Sequence, residues 1–332
     1  MTRFQRRELL GALAAGGMAA ALPGAVLAQE RKIDNARVTV GFPAGDMADN
    51  IARIFSEQIR GKYAENAIVD NKPGAAARVA IQSFIKYRGD GTEALFTPGA
   101  MIVLFPHVFQ QLPYDPLKDL RPVTKIANAA FGLAVGPGCP AEVKTLADYL
   151  AWAKKDPKNA SYATSGGGSG IHLTAEYLAS LSNTPLNMVA YKGASPAAAD
   201  LVAGQIPAQM ATIPSLIEHA RAGKIRFLAI SSGERHKLLP NVPTFKEQGF
   251  AQLVTDDWFG FFLPASASAA QADSMNRSIL NALRDPKVVA QLENMGLIMG
   301  PTATPADFAA LVASEYKRWA DIAKTVKFQP MA

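Results

Sequence analysis

The pattern of hydrophobic and polar positions along this chain changes repeatedly between two periods. Short apolar runs, such as residues 37–42 and 226–230, have the length and composition of buried strands. Between such runs, apolar residues recur every three or four positions, as in 48–59, where Ile51 and Phe55 share one side of a helix. Strands that alternate with amphipathic helices predict an α/β protein in which the sheets are mostly parallel.

The same alternation extends to the end of the chain, without an internal repeat of fixed period. Further strands are predicted at 67–70, 93–97, 123–127, 131–135, 160–164, 188–191, 208–211 and 257–262. Further helices are predicted at 77–87, 146–155, from 171 onward, 195–202, 214–222, 269–283, 287–295 and 307–324.

Two positions, near Ile126 and Thr255, are places where a strand could pass between two α/β lobes. We therefore predict one lobe from residues 29–126 and 256–332, and a second lobe from 127–255. Ligands of open α/β sheets bind beyond the carboxyl ends of the strands, so we expect a site in the cleft between the lobes.

The stretch from 159 to 181 carries the functional prediction. A short strand leads into the turn 165–170, which contains four glycines, and a helix begins near Ile171. Glycine allows positive φ and close approach of the backbone to a ligand. The first amides of a helix have no partner within it and lie at the positive end of its dipole, so this turn predicts an anion site. The predicted contacts are Ser165, Gly166, Gly168, Ser169 and His172.

The residues around this turn exclude three common glycine motifs. No Lys-Ser or Lys-Thr pair follows the glycines, as a nucleotide P-loop requires. Ile171 stands where the dinucleotide motif needs its third glycine and where the nucleophile elbow needs its last. Ser169 and His172 nevertheless leave an extracytoplasmic serine hydrolase open as an alternative function.

The N-terminal residues predict export from the cytoplasm. Arginines precede an apolar stretch and a small-residue cleavage site, which is typical of a signal peptide over residues 1–28 with cleavage after Ala28. Arg6 and Arg7 resemble a twin-arginine signal, and a general secretory signal is the alternative. No later stretch is long and apolar enough to span a bilayer, so we expect a soluble periplasmic protein.

Charge and composition exclude several other classes. Cleavage would remove three arginines and one glutamate, which takes the formal net charge from +6 to +4. This charge is spread along the chain without a Lys/Arg block, which argues against nucleic acid as a partner and suits a receptor for small anions. The single cysteine, Cys139, excludes an internal disulfide. The four histidines are scattered, so we expect neither a metal nor a cofactor.

Other predicted turns, at 42–49, 97–101, 191–193 and 210–212, could face the same cleft. They supply amides, hydroxyls and apolar walls, but no pair of carboxylates at an acid–base spacing, which favours binding over catalysis. The further predicted contacts are Phe42, Ala44, Gly45, Asp46, Asp49, Arg78, Thr97, Pro98, Gly99, Tyr191, Lys192, Gly193, Met210, Thr212 and Trp258.

Several short motifs stand in a recognisable order along the whole mature chain. They are Phe42-Pro43-Ala44-Gly45, Asp70-Asn71-Lys72-Pro73-Gly74-Ala75, the segments 112–119 and 162–169, His172-Leu173, Tyr191-Lys192-Gly193 and Asn241-Val242-Pro243-Thr244. Together they resemble the solute receptors of tripartite tricarboxylate transporters, often called Bug-type receptors.

The resemblance implies a two-lobed type II periplasmic binding protein that closes on a small organic carboxylate. The turns at 42–49 and 165–172 would grip this ligand from opposite lobes. The receptor would carry out no catalysis, and it would deliver its ligand to the membrane permease subunits of the transporter. Independently of the resemblance, we expect a monomer. A module that presents the ligand to a signalling partner is a further alternative.

The chain departs from the family pattern at places that bear on the ligand. Asp46 stands where further glycines are usual, Arg78 ends a segment that is commonly Gly-Gly-Asn, and Pro207 and Ala211 replace two frequent aspartates. A carboxylate at position 46 would repel a second ligand carboxylate or attract an ammonium group. Arg78 would either pair with Asp46 or hold a distal carboxylate. We predict a ligand with one gripped carboxylate on a largely apolar or amino-bearing frame.

Overall fold

The computed structural model describes residues 33–164, 167–191 and 193–331. The predicted export signal at 1–28 lies outside the described residues, as do Ser165, Gly166 and Lys192 among the predicted contacts. Within the described ranges, none of the helices combines the length and the hydropathy that crossing a membrane requires.

Strands and helices alternate through most of the chain. The strands are β1 (Ile33–Val40), β2 (Ala64–Asn71), β3 (Glu93–Pro98), β4 (Leu120–Val135), β5 (Ser161–Thr164), β6 (Asn187–Ala190), β7 (Ala208–Thr212), β8 (Arg226–Ile230), β9 (Asp256–Pro264) and β10 (Ile298–Met299). The helices are α1 (Met47–Ile59), α2 (Arg78–Phe84), α3 (Ala100–Val103), α4 (Phe105–Val108), α5 (Pro116–Asp119), α6 (Leu146–Ala153), α7 (Gly170–Ser182), α8 (Ala194–Val202), α9 (Ile213–Arg221), α10 (Ala269–Ala282), α11 (Pro286–Asn294) and α12 (Pro305–Thr325). A 3₁₀ helix covers Ala251–Leu253.

Local sequence signals explain where many of these helices begin. Reciprocal side-chain and backbone hydrogen bonds form a capping box at α6, α10 and α12, with Thr145, Ser268 and Thr304 as the N-cap residues. The predicted apolar side of α1 is buried, with Ile51 and Phe55 fully withdrawn from solvent. The α/β prediction is therefore confirmed at the level of single elements.

The strands form one sheet in the order β2-β1-β3-β9-β4-β7-β5-β6, and β8 and β10 also pair with β4. The pairs β1–β2, β1–β3, β5–β6 and β5–β7 are parallel. The antiparallel pairs among the described strands all include β4 or β9. The sheet is therefore mixed, because these two strands run against the parallel strands on either side of them.

Strand β4 joins the two halves of this sheet. The sequence predicted two strands, 123–127 and 131–135, but Asn128, Ala129 and Ala130 continue the ladder by pairing with β9. The earlier part of β4 pairs with β9, and its last residues pair with β7 and β8. One 16-residue strand thus contributes to both halves, and the start of β9 lies against the middle of it.

Separate hydrophobic clusters fill the two halves. One cluster lies around β1, α1 and α10, and another lies around the end of β4 with β5, α6 and α7. A third cluster gathers α3, α4 and α12 with Trp258 and Phe262 of β9, and it also includes Leu173 of α7. Because α7 packs on the second half of the sheet, this third cluster joins elements from both halves.

Candidate functional site

The glycine turn after β5 is held by the first residues of α7. Ser169 is the N-cap residue of α7, and its hydroxyl accepts a hydrogen bond from the backbone N–H of His172 at 3.2 Å. Gly168 has a φ of +71°, in the left-handed region that favours glycine. Its N–H donates to Nδ1 of His172 at 3.1 Å, so this ring orients the turn.

The same contacts argue against the serine hydrolase alternative. Because Nδ1 of His172 accepts from Gly168, Nε2 carries the proton of the neutral ring, and it faces Oε1 of Glu176 at 3.5 Å. A hydrolase would need one of these nitrogens to activate the Ser169 hydroxyl. Both ring nitrogens face other groups, the Gly168 N–H and the Glu176 carboxylate, and the Ser169 hydroxyl accepts the helix-capping bond from the His172 backbone.

The C-terminal segment of the chain reaches this turn. Met331 exchanges backbone hydrogen bonds with the segment around Phe109, donating to the Val108 carbonyl and accepting from the Gln110 N–H, both at 2.8 Å. Its thioether covers Gly168, where an added Cβ would lie 2.2 Å from the Met331 methyl carbon. The ring of Phe328 lies edge-on to His172, with centroids 5.8 Å apart.

Sequence analysis did not identify Phe328 or Met331 as site residues. Neither lies in a glycine-rich turn or at the end of a strand, and their contacts with Gly168 and His172 join segments far apart in the chain. No local pattern signals such a contact. The tail places two apolar side chains beside the predicted anion site and connects that turn to Val108 and Phe109.

The turn before α1 is organised by Asp49, which is only 1% exposed. Its Oδ2 accepts from the Gly45 N–H at 2.8 Å and from Nε of Arg53 at 2.9 Å, and its Oδ1 accepts from the Asn71 amide at 2.9 Å. Burial alone would raise the pKa of Asp49, but the hydrogen bonds from Arg53, Gly45 and Asn71 outweigh it and hold that pKa below its usual value. The carboxylate therefore shapes the turn.

Asp46 caps the same helix. Its Oδ1 accepts from the Ala48 N–H at 3.1 Å, as expected of an N-cap residue. Although the residue as a whole is exposed, desolvation of the carboxylate raises its pKa, and the nearby charge of Asp49 adds to that effect. Gly45 has a φ of +83°, and Ala44 and Gly45 are exposed at the tip of the turn.

Asp49→Asn is expected to lower the free energy of unfolding by about 2 kcal/mol at neutral pH, because hydrogen bonds to a charged group are worth roughly 1.5–3 kcal/mol. The folded pKa lies below that of the unfolded chain, so this loss is present above about pH 4 and disappears as the pH falls through the folded pKa. Urea unfolding at about pH 7 and about pH 3 measures it. Asp46→Asn, which retains a capping oxygen, is the control, and an equal loss in both variants would contradict this role for Asp49.

The turn after β3 packs directly on β9. The Gly99 N–H donates to the Trp258 carbonyl at 2.6 Å, and the Ala100 N–H donates to Oδ1 of Asp257 at 3.2 Å. Thr97, Pro98 and Gly99 are buried, and Trp258 is only 4% exposed. Burial raises the pKa of Asp257 to about 6, although backbone N–H groups, including those of Ala100 and Trp258, oppose the shift. Asp257 was not predicted as a site residue.

The remaining predicted contacts have varied surroundings. The Tyr191 hydroxyl donates to Oδ2 of Asp200 at 2.8 Å, and Gly193 precedes α8 with a φ of +131°. The Thr212 hydroxyl lies 2.7 Å from that of Ser215. Met210 is fully buried in the core around α7, and Phe42 is half-buried between two hydrophobic clusters. Direct contacts of these residues with a ligand stay predictions.

A surface cavity of about 320 Å³ lies between α7 and α12. Most of its lining residues are of polar type, and none of them is a predicted contact. The lining residues are Tyr177, Gln252, Ser314, Lys317, Arg318, Asp321, Ile322 and Thr325. Without a glycine turn or a helix N-terminus in its wall, this cavity lacks the features that led to the anion-site prediction.

Comparison with known proteins connects this geometry to a family. The sequence model described as "Tripartite tricarboxylate transporter family receptor" matches residues 51–328. Protein BugT of Bordetella pertussis (strain Tohama I) is 29% identical over 289 residues, covering 87% of this chain and 88% of BugT. A "UPF0065 protein in tcbD-tcbE intergenic region" of Pseudomonas sp. (strain P51) is 32% identical over 289 residues, covering 84% of this chain and 82% of the relative.

Solved structures agree with the sequence relatives. One described as a periplasmic transporter superposes with a TM-score of 0.79 at 32% identity, covering 89% of this chain and 98% of that chain. An R. palustris protein solved with adipate superposes with a TM-score of 0.80 at 26% identity, covering 90% of this chain and 99% of that chain. The predicted type II binding-protein fold is confirmed. The chain therefore belongs to the tripartite tricarboxylate transporter receptor family, and it is a solute-binding receptor rather than an enzyme.

Proposed function

We propose that this receptor captures a small organic carboxylate in the periplasm and delivers it to the membrane permease subunits of a tripartite tricarboxylate-type transporter. The observation that carries the proposal is the turn before α7. Its Gly168 is held in the left-handed region by His172, and Ser169 caps the helix. Amides at a helix N-terminus favour a carboxylate through hydrogen bonding and the helix dipole.

Apolar side chains beside this turn suit the carbon skeleton of such a ligand. Met331 and Met188 both approach Gly167, where an added Cβ would lie 3.7 Å and 3.9 Å from them. Small-molecule sites commonly combine an apolar wall with a few polar groups that fix orientation. The R. palustris relative solved with adipate supports a carboxylate as the ligand class.

We further propose that the two lobes, 29–126 with 256–332 and 127–255, close on the ligand. The strands β4 and β9 would form the connections between them. Near these crossings, the Ser231 hydroxyl donates to Oδ1 of Asp256 at 3.0 Å and accepts from the Phe131 N–H at 2.8 Å. A ligand with higher affinity for the closed form would shift the population toward closure. The receptor would act as a monomer.

Ser169→Ala is expected to weaken carboxylate binding by about 1–3 kcal/mol, because it removes a hydroxyl beside the charged group of the ligand. Isothermal titration of the mature protein with adipate measures this loss. Thr145→Ala is the matched control, since it removes the N-cap hydroxyl of α6 and costs about 1 kcal/mol of stability without touching the glycine turn. Wild-type affinity in Ser169→Ala would remove this turn from the site.

A further inference from the structure

Arg78 follows three consecutive non-glycine residues in the left-handed region. The φ values of Ala75, Ala76 and Ala77 are +44°, +52° and +67°. Each such residue costs roughly 1–2 kcal/mol relative to a right-handed conformation. The run ends at the start of α2, and it turns the Ala75 carbonyl toward Arg78, whose Nε donates to it at 3.0 Å.

The Arg78 guanidinium is also held from one face. Its central carbon lies 4.0 Å from the ring centroid of Phe109, in cation–π geometry. Two contacts thus orient the side chain. Nε donates a hydrogen bond to the Ala75 carbonyl, and the guanidinium lies over the Phe109 ring. The two terminal nitrogens receive no hydrogen bond or ion-pair partner from the residues that the structure describes.

Asp46 is not the partner of the terminal nitrogens of Arg78. Its carboxylate accepts from the Ala48 N–H, and in the described part of the chain it forms no ion pair with Arg78. Of the two roles that the sequence left open for Arg78, pairing with Asp46 is therefore not observed. Arg78 is half-buried as a residue, and a guanidinium whose terminal nitrogens are unused matches the geometry of a carboxylate, which accepts two parallel hydrogen bonds.

Phe109 connects Arg78 to the glycine turn. Its backbone forms a parallel bridge with Met331, and the Met331 thioether covers Gly168. Two residues with apolar side chains, Phe109 and Met331, therefore connect the segment that contacts Arg78 to the N-terminus of α7. Arg78 at one end and the helix N-terminus at the other each suit an anionic group, and the apolar side chains suit methylene groups.

We propose that Arg78 is a specificity-determining residue that holds a second carboxylate, so that the preferred ligand is a linear dicarboxylate with an apolar spacer. One carboxylate binds at the glycine turn, the spacer lies along Phe109 and Met331, and the other carboxylate binds the terminal nitrogens of Arg78. This inference rests on the proposed function, and it replaces the sequence-based expectation of a ligand with a single gripped carboxylate.

Adipate and hexanoate test this proposal, because they have the same chain length and differ in the second carboxylate. Isothermal titration should show adipate binding the mature wild-type protein about 10- to 100-fold more tightly than hexanoate. Arg78→Gln should abolish that ratio and leave the hexanoate affinity unchanged. Arg78→Lys, which keeps the charge but loses the fork, should give an intermediate ratio.

Arg60→Gln is the matched control, because it removes the same charge from the far end of α1 and should leave the ratio at its wild-type value. If the Arg78–Phe109 contact had a purely structural role, Arg78→Gln would lower the affinity for adipate and for hexanoate equally. That result would overturn the proposal. Equal binding of adipate and hexanoate to wild type would overturn it as well, while the receptor function would stand. Absence of binding by any linear mono- or dicarboxylate would overturn this inference, and the proposed function would fall with it only if citrate and aromatic carboxylates also failed to bind.

Discussion

Gly99→Ala is expected to lower the free energy of unfolding by about 3 kcal/mol, the upper part of the usual range for overpacking a core. An added Cβ would lie 2.3 Å from Cε2 and 2.5 Å from Cδ2 of the Trp258 indole. The ring cannot move easily, because Trp258 packs against Phe262 and Phe308, with ring centroids 6.3 Å and 5.1 Å away. Urea unfolding monitored by tryptophan fluorescence measures the loss.

Gly45→Ala separates this clash from the general effect of replacing a glycine. Gly45 has a φ of +83°, but no atom lies within 4 Å of the position that an added Cβ would occupy. Its replacement should therefore cost only the backbone strain of a left-handed alanine, about 1 kcal/mol. Gly99 has an ordinary φ of −64°, so its cost comes from packing. If both variants lose the same stability, the contact with Trp258 is more adaptable than its geometry indicates.

Asp257→Asn is expected to change how stability depends on pH. Burial raises the pKa of Asp257 from 3.8 in the unfolded chain to about 6 in the fold. Between these values the folded protein keeps a proton that the unfolded chain releases, so the wild-type free energy of unfolding falls as the pH rises from about 4 to above 6. A shift of about two pKa units corresponds to roughly 3 kcal/mol.

Relative to wild type, Asp257→Asn should therefore gain about 3 kcal/mol between about pH 4 and about pH 7.5. Urea unfolding of both proteins across this range measures the difference, and any constant cost of replacing the carboxyl group cancels from it. Asp49→Asn serves as a control, because the pKa of Asp49 is lowered and its contribution is lost only below about pH 4, so its difference from wild type should stay nearly constant over this range. A pH-independent difference for Asp257→Asn would show that this carboxyl group ionises normally in the fold.

Local patterns predicted the single elements and one organised turn. The periodicity of 48–59 identified α1 to within one residue, because its apolar side recurs at the helical period. The glycines and Ser169 predicted a turn that leads into a helix, and the structure has Gly168 at positive φ with Ser169 as the N-cap. These features depend on residues that are near one another in the chain, so they can be predicted from the sequence alone.

Patterns within one segment could not predict how strands pair. The sequence predicted separate strands on either side of Asn128. In the structure this residue continues β4, because it pairs with Trp258 of β9. The departure from a mostly parallel sheet has the same origin, since β4 and β9 take their direction from the order in which strands assemble. Pairing energies come from neighbours distant in sequence, and local propensity does not encode them.

The sequence by itself determined the fold class, the family resemblance and the glycine turn, because each follows from residue types at short or ordered spacing. Only the tertiary structure placed Met331 on Gly168, placed Asp257 against the turn of Gly99 and Ala100, and separated Arg78 from Asp46. In each case the decisive partner lies on another element, such as Phe109 for Arg78. The environment that sets a side chain's charge and orientation is assembled only when those elements pack.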